Sequence, residues 1–307
     1  MSVGIISHHL CASHDMGKGH PECPARLTAI QDQLIRSGLD FAIRRYDANP
    51  IEPELLSLVH DPEFINYIFD NAPSEGLFDL DDDALMNPDT LTAALLAAGA
   101  AVQAVDLVMR EEQKVVFCST RPPGHHATKN RAMGFCFFNN IAIAAAYARQ
   151  HYHLQKVAIL DFDVHHGNGT QDIFAGQLEV LFCSTFQHPF YPFSGTEETS
   201  SNIINTPLSS TAGSEEFRQA VTQTWLPALE KFEPEMLFIS AGFDAHAEDE
   251  MSQIRLYESD YRWVTDALRA VATKHCKGRI VSVLEGGYNL SALGRSVVAH
   301  INGLIGN

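Results

Sequence analysis

Positive charge is scarce in this chain: 21 Lys and Arg stand against 38 Asp and Glu, a formal net charge of −17 with histidine neutral. Such a field repels a phosphate backbone, which argues against sequence-independent nucleic-acid binding and favours cationic substrates. Cysteine is sparse too. Cys11, Cys23, Cys118, Cys136, Cys183 and Cys276 contain no CxxC pair, so a cysteine-based zinc site is excluded as the first reading. Cys118 and Cys183 sit inside apolar runs, and the six thiols read as reduced and buried. No apolar run approaches the ~18 residues of a membrane span, and Met1 to Leu10 is no basic, hydrophobic leader. Internal repeats and low-complexity linkers are missing as well. The expectation is a cytoplasmic protein with neither membrane nor nucleic acid as partner. What is present suits a large core: 307 residues, 45% hydrophobic and 19% charged, read as one domain over residues 1–307.

Short β-rich runs recur at Val3–Ile6, Val115–Ser119, Val157–Leu160, Val180–Ser184, Met236–Ser240 and Ile280–Leu284. Each is four to five residues of mostly Val, Ile, Leu, Phe or Cys, the composition of strands buried on both faces. Helical patterns lie between several of them: alanine-rich Thr90–Arg110, Asn140–Gln150, Ser214–Lys231 with Ser214 as N-cap, and Ser259–His275. Alternating strands and helices predict a doubly wound α/β fold, a central parallel sheet with helices on both faces. The acidic, turn-rich stretch Asn71–Asp89 reads as an exposed loop.

Chemistry-bearing residues follow the strands. Val115–Ser119 runs into Arg121-Pro122-Pro123-Gly124-His125-His126, and Val157–Leu160 into Asp161-Phe162-Asp163-Val164-His165-His166-Gly167-Asn168-Gly169. Met236–Ser240 runs into Ala241-Gly242-Phe243-Asp244, and Ile280–Leu284 into Glu285-Gly286-Gly287-Tyr288. In a parallel sheet the C-terminal strand ends share one edge, where ligands bind. Four segments that could each be a harmless loop therefore converge on one place. In extended geometry Asp161, Asp163 and His165 point the same way. Carboxylates at the mouth of a core need a partner, and mixed Asp/His ligation suits Zn²⁺ or a similar divalent ion. The competing reading of this segment alone is a solvated loop with a structural Asp–His pair.

Zinc catalysis needs three protein ligands and an open position for water, and Asp163, His165 and Asp244 supply the three. Two carboxylates leave such an ion less positive than three histidines would, so a neighbouring base is required. The tandem His125-His126 fits, with Asp161 facing His125 and Asn168 facing His126 to push the two pKa values apart. Tyr288, after Gly286-Gly287, can aim a phenol at a developing oxyanion. The parts describe metal-assisted hydrolysis of an amide.

The strings HPECPAR, RPPGHHA, GFCFFNN, DFDVHHGNG, SAGFDAH and EGGY, running from His20 to Tyr288, resemble the zinc-dependent histone deacetylase family, which includes acetylpolyamine amidohydrolases and acetoin-utilisation proteins. Asn168, where class I members carry Asp, is similar to the class II branch. The resemblance implies an arginase-deacetylase type of fold with about eight parallel strands. It implies zinc on Asp163, His165 and Asp244, with His125 and His126 as acid and base and Tyr288 polarising the acyl carbonyl. Some class II relatives with histidine in place of that tyrosine deacetylate poorly, so Tyr288 implies a competent enzyme. It also implies structural potassium: one ion by Asp161, Asp163, His165, Ser184 and Thr185, and a second near Phe174 and Val180. For an acyl-lysine tunnel it implies Gly134 and Phe135 as one wall, Tyr191 as the facing ring with Phe193 the alternative, and Asp83 at the rim. Arg26 would line or close the inner acetate cavity, and Gly287 is a further substrate-binding position.

Three functions follow as expectations. The first is a class II-like deacetylase acting on acyl-lysine in proteins or peptides; the second is an acetylpolyamine amidohydrolase; the third is a catalytically weak acyl-lysine reader. Glu248, Asp249 and Glu250 are the carboxylates that could meet a distal ammonium, although Met251 stands where the family's gatekeeper glutamate aligns. A homo-oligomer stays open. Among the tempting histidines, His246 reads as a loop residue rather than a second-metal ligand, and His166 as a packed side chain. His8, His9, His14, His20 and His188 read as surface positions. Cys136 reads as structural, beside the tunnel.

Overall fold

Alternate residues of each apolar run face opposite sides of a pleated strand, so a run that is apolar throughout needs helices on both of its faces. The computed structural model describes residues 2–81, 83–197 and 199–306. Its strands are β1 (Val3–Ser7), β2 (Ile43–Asp47), β3 (Phe78–Asp81), β4 (Ala84–Met86), β5 (Val115–Cys118), β6 (Val157–Asp161), β7 (Val180–Gln187), β8 (Ile203–Leu208), β9 (Met236–Ala241) and β10 (Ile280–Leu284). Eight of them form one sheet in the order β2-β1-β5-β10-β9-β6-β7-β8. Every neighbouring pair in it is parallel.

The helices are α1 (Ala25–Arg36), α2 (Pro62–Asp70), α3 (Thr90–Met109), α4 (Asn140–Tyr152), α5 (Asn168–Phe174), α6 (Ser214–Ala220), α7 (Leu226–Phe232), α8 (Glu258–His275) and α9 (Leu290–Ile305). Two cores result. Val116, Cys118, Ile159, Phe182 and Phe238 pack with α3 and α4 on one face. Val115, Phe117, Leu160, Leu181 and Ile239 pack with α1, α8 and α9 on the other. Each fully buried Leu, Val or Phe contributes on the order of 1.5–3 kcal/mol, which is why the apolar runs fix the sheet.

Several expectations change. The edge strands β2 (IRRYD) and β8 (IINTPL) carry polar residues and, in β8, Pro207. Edges tolerate both, because only one side pairs, and neither run has the apolar density that marks a central strand. Ser214 is not the N-cap of its helix. Gly213 holds that position and donates its N–H to Glu216 at 3.0 Å, while the Ser214 hydroxyl donates to Asp260 at 2.6 Å. The helix itself is broken by a π turn at Val221–Trp225; Pro227 has no N–H to donate to Gln223, so the coil widens there.

The stretch 71–89, expected as loop, contains the antiparallel hairpin β3–β4; Asp82 lies outside the described residues. One helix does have the length and composition to cross a bilayer, contrary to the expectation of no such run. It is α3, and 67% of its apolar window is buried inside the fold. Ala94, Ala98 and Ala101 on it are at most 1% exposed in the first core, the position of a core helix.

Candidate active site

The four loops with unusual residues leave β5, β6, β9 and β10, which are consecutive in the sheet order. Their C-terminal ends therefore form one uninterrupted edge. Asp161 is the last residue of β6, and Asp163 and His165 follow in the loop, where Asp163 N–H donates back to Asp161 Oδ1 at 3.1 Å. From β9, Asp244 arrives beside them and accepts Val164 N–H at 2.9 Å.

Asp163, His165 and Asp244 are buried, and one ligand atom from each lies within 4.8 Å of the other two. His165 Nδ1 is 3.1 Å from both Asp163 Oδ1 and Asp244 Oδ2. Burial opposes charge on His165, but the two carboxylates outweigh it and lift the imidazole to about 10. Burial, reinforced by the charge of Asp163, pushes Asp244 up to about 7. Two buried carboxylates that repel one another around one imidazole nitrogen are the donor set a divalent cation satisfies. The backbone is shaped to them: a Cβ on Gly286 would overlap the carboxylates of Asp244 and Asp163, and without it Gly286 N–H reaches Asp163 Oδ2 at 2.7 Å. Asp161 pairs with His125.

The histidine pair sits directly above, with ring centroids 4.0 Å apart. His125 Nδ1 lies 2.9 Å from Asp161 Oδ2, and His126 Nδ1 lies 2.7 Å from Asn168 Oδ1. Their environments separate them. Burial disfavours the charged form of His125, yet Asp161, Asp163 and Glu285 overcome it and raise His125 to about 10. Burial, with His125 and His165 nearby, holds His126 well below its ordinary value. A neutral His126 that donates Nδ1–H to the Asn168 carbonyl keeps the Nε2 lone pair free to accept a proton.

A cavity of about 310 Å³ opens over this group, within the range of small-molecule sites. It is lined by Asp83, His126, Gly134, Phe135, His165, Phe190, Tyr191, Glu250, Met251 and Tyr288. Gly134 has φ +57°, and a Cβ there would strike the His126 ring, so glycine is what lets this wall close on the histidine. Asp83 ties both walls together: Oδ1 accepts Gly134 N–H at 2.9 Å and Oδ2 accepts the Tyr191 hydroxyl at 2.8 Å. The phenol of Tyr288 is pushed well up by burial and by Asp244, so it stays protonated and able to donate. A second cleft, about 360 Å³, lies farther along the same edge against Ser7, His8, Arg45 and Ser119. It holds none of the four clusters.

Other expected residues fall elsewhere. Phe193 is 72% exposed and does not line the cavity. Arg26, expected at an inner acetate cavity, has a fully buried guanidinium bonded to Glu22 at 2.9 Å, the Gly287 carbonyl at 2.7 Å and the Glu285 carbonyl at 2.5 Å. Arg26 and Gly287 therefore brace the loop of Tyr288, with the guanidinium 5.0 Å from the tyrosine ring centroid. Ser184 and Thr185 are buried on β7, Ser184 in register with Asp161. Phe174 and Val180 surrender their carbonyls to the Asn202 side chain.

His14, read as a surface residue, is fully buried at 2.8 Å from the Thr90 hydroxyl. His166 packs against Phe186 and meets Ser194 at 3.0 Å. His246 accepts Glu248 N–H at 3.1 Å and stands outside the metal-holding group. Cys136 is buried, its thiol donating to the Gly134 carbonyl at 3.3 Å.

Three residues have roles at the site that the sequence does not reveal, although Glu285 and Asp249 lie in segments it singles out. Phe190 stacks on His165 with centroids 5.6 Å apart. Glu285 accepts N–H from Gly124 at 2.7 Å and from His125 at 3.1 Å. Asp249 accepts N–H from Tyr288 at 2.7 Å, Asn289 at 2.9 Å and Met251 at 3.0 Å. The only signal for the two acids was a carboxylate next to a motif, which does not reveal its backbone partners.

This chain is similar to known proteins in sequence and fold. The histone deacetylase domain profile matches residues 20–304. The histone deacetylase-like amidohydrolase of Pseudomonas aeruginosa is 36% identical over 296 residues, 93% of this chain and 78% of that protein. The polyamine deacetylase HDAC10 of Mus musculus is 36% identical over 303 residues, 93% of this chain and 45% of that protein. The crystal structure of the HDA15 HD domain superposes with a TM-score of 0.94 at 33% identity, covering 100% of this chain and 88% of that one.

Proposed function

This chain belongs to the histone deacetylase family, and from that premise we propose that it removes acetyl or other short acyl groups from Nε-acyl-lysine side chains, using zinc held by Asp163, His165 and Asp244. It is a hydrolase of amide bonds, and its eight-stranded parallel sheet is of the arginase-deacetylase type. The observation that carries the reading is the meeting of three metal-ligating side chains and a neutral histidine at the floor of one aromatic-walled cavity. We take residues 1–307 as one catalytic domain. The six unpaired thiols agree with a reducing, cytoplasmic setting.

A divalent ion bound there supplies Lewis acidity to the acyl oxygen and lowers the pKa of water. The protein's own groups do the rest. His126 Nε2 accepts a proton as water adds to the acyl carbon, because its Nδ1–H is committed to Asn168. His125 keeps its charge through Asp161 and stabilises the negative charge that develops beside it. The Tyr288 hydroxyl donates to the acyl oxygen as that oxygen becomes anionic. An imidazole of the pair then returns a proton to the amine as the C–N bond breaks. Phe135 and Tyr191 flank the methylene chain and keep water out. A structural potassium ion is proposed among Asp161, Asp163, His165, Ser184 and Thr185; the buried Ser184 hydroxyl, without a hydrogen-bond partner among the described residues, supports it.

Acetylpolyamine hydrolysis is the second reading, favoured by one observation: Glu250 lines the cavity and could meet a distal ammonium. Assaying zinc-loaded protein against acetyl-lysine peptides and acetylated polyamines separates the two. Preferential turnover of peptides supports the first reading and of polyamines the second. Binding of either with no turnover of both would sink hydrolysis and leave an acyl-lysine reader.

A further inference from the structure

The turn between α5 and β7 aims three backbone carbonyls at a single point. Phe174, Gln177 and Val180 place their oxygens 2.9, 3.1 and 2.8 Å from one atom, Asn202 Nδ2. Asn202 is 4% exposed. Its Oδ1 faces away from the carbonyls and accepts from Gly176 N–H at 3.1 Å and from the Ser200 hydroxyl. Reversing the amide would press an oxygen against three oxygens and an NH₂ group against two donors, so the network fixes its orientation.

Rings of carbonyl oxygens are the means by which proteins replace the hydration shell of a monovalent cation. The family resemblance implied such an ion beside Phe174 and Val180. Yet the point where the carbonyls converge is filled by a side chain carrying partial positive charge of its own. We infer that Asn202 is a built-in substitute for a structural cation: its amide plugs the carbonyl cage, and the chain holds this turn without an ion there. The plug matters to the site through α5. That helix begins at Asn168, the residue that orients His126, and ends at Phe174, whose carbonyl the plug holds. The inference rests on the cage alone and survives whether or not the catalytic reading does.

Thallium(I), a potassium mimic with strong anomalous scattering, provides the test. Wild-type crystals grown with it should show no anomalous peak inside the Phe174–Gln177–Val180 ring, and Asn202→Gly crystals should show one. A wild-type peak in that ring, with Asn202 turned aside, would overturn the inference, and so would an opened ring in the glycine variant that takes up no ion. Thermal melting of Asn202→Asp gives an independent reading, because the change keeps the shape but sets a carboxylate against the carbonyls. In choline buffer free of alkali metals its Tm should fall by about 5 °C, and potassium should restore more of that loss than it adds to wild type. An aspartate variant as stable as wild type without potassium would equally defeat the proposal.

Discussion

At the scale of single residues, the site works by giving like side chains unlike surroundings. His125 and His126 are adjacent in sequence, yet Asp161 faces one and Asn168 the other, so one is held charged and the other neutral. Tyr288 is the residue whose loss should be felt in chemistry and nowhere else. Tyr288→Phe should lower turnover roughly 10²-fold, as for loss of an oxyanion donor, with metal content by elemental analysis unchanged; full turnover would remove the phenol from the reaction.

His300 offers a test away from the candidate site. It is fully buried between the Thr265 hydroxyl at 2.6 Å and the Ser282 hydroxyl at 2.9 Å, and burial lowers its pKa to about 3. The unfolded chain protonates this histidine first, so its contribution to stability is complete above about pH 6.5 and declines as the pH falls toward the folded value. The stability gap between wild type and His300→Gln should therefore narrow by about 2–3 kcal/mol between pH 7 and pH 4.5. Parallel urea-unfolding free energies at the two pH values would contradict that burial effect.

At the scale of elements, strand ends place the chemistry and the loops beyond them are held by backbone hydrogen bonds to buried acids. Asp249 is the clearest case. Its carboxylate accepts the N–H groups of Met251, Tyr288 and Asn289, joining the rim of the cavity to the loop that carries the phenol. In Asp249→Asn one acceptor becomes a donor facing an N–H, so kcat should fall about tenfold through misplacement of Tyr288, with zinc stoichiometry retained. An unaffected kcat would mean that the Arg26 brace alone holds the loop.

β5, β6, β9 and β10 were legible because central parallel strands are apolar throughout, and the residues just past them were legible because carboxylates and imidazoles are out of place at the end of such a run. β2 and β8 were hidden because one unpaired edge relaxes the demand for apolar residues. The roles of Arg26, Asp249 and Glu285 were hidden for a different reason: most of their partners are backbone groups far away in the chain, which leave no mark in residue type. Phe190 was missed because Tyr191 next to it satisfied the same pattern.

At the scale of the whole molecule, the alternation of strands and helices foretold the fold class, but the strand order did not follow from it, and the order is what makes the site. Only because β9 lies between β10 and β6 does Asp244 reach residues 79 and 81 positions earlier in the chain, His165 and Asp163. A metal at that junction binds the folded state and has no comparable site in the unfolded one, so it must stabilise the entire domain. Zinc added to chelated protein at about 100-fold over its Kd should contribute about 2.7 kcal/mol, a rise in Tm of roughly 5 °C for a chain of this size. Asp244→Ala removes one of the three ligands and should neither retain stoichiometric zinc nor show the rise. Calorimetry on both proteins, before and after chelation, decides the matter: if the alanine variant melts higher with zinc by the same margin as wild type, the ion is bound elsewhere, and the buried Asp163–His165–Asp244 group needs another explanation.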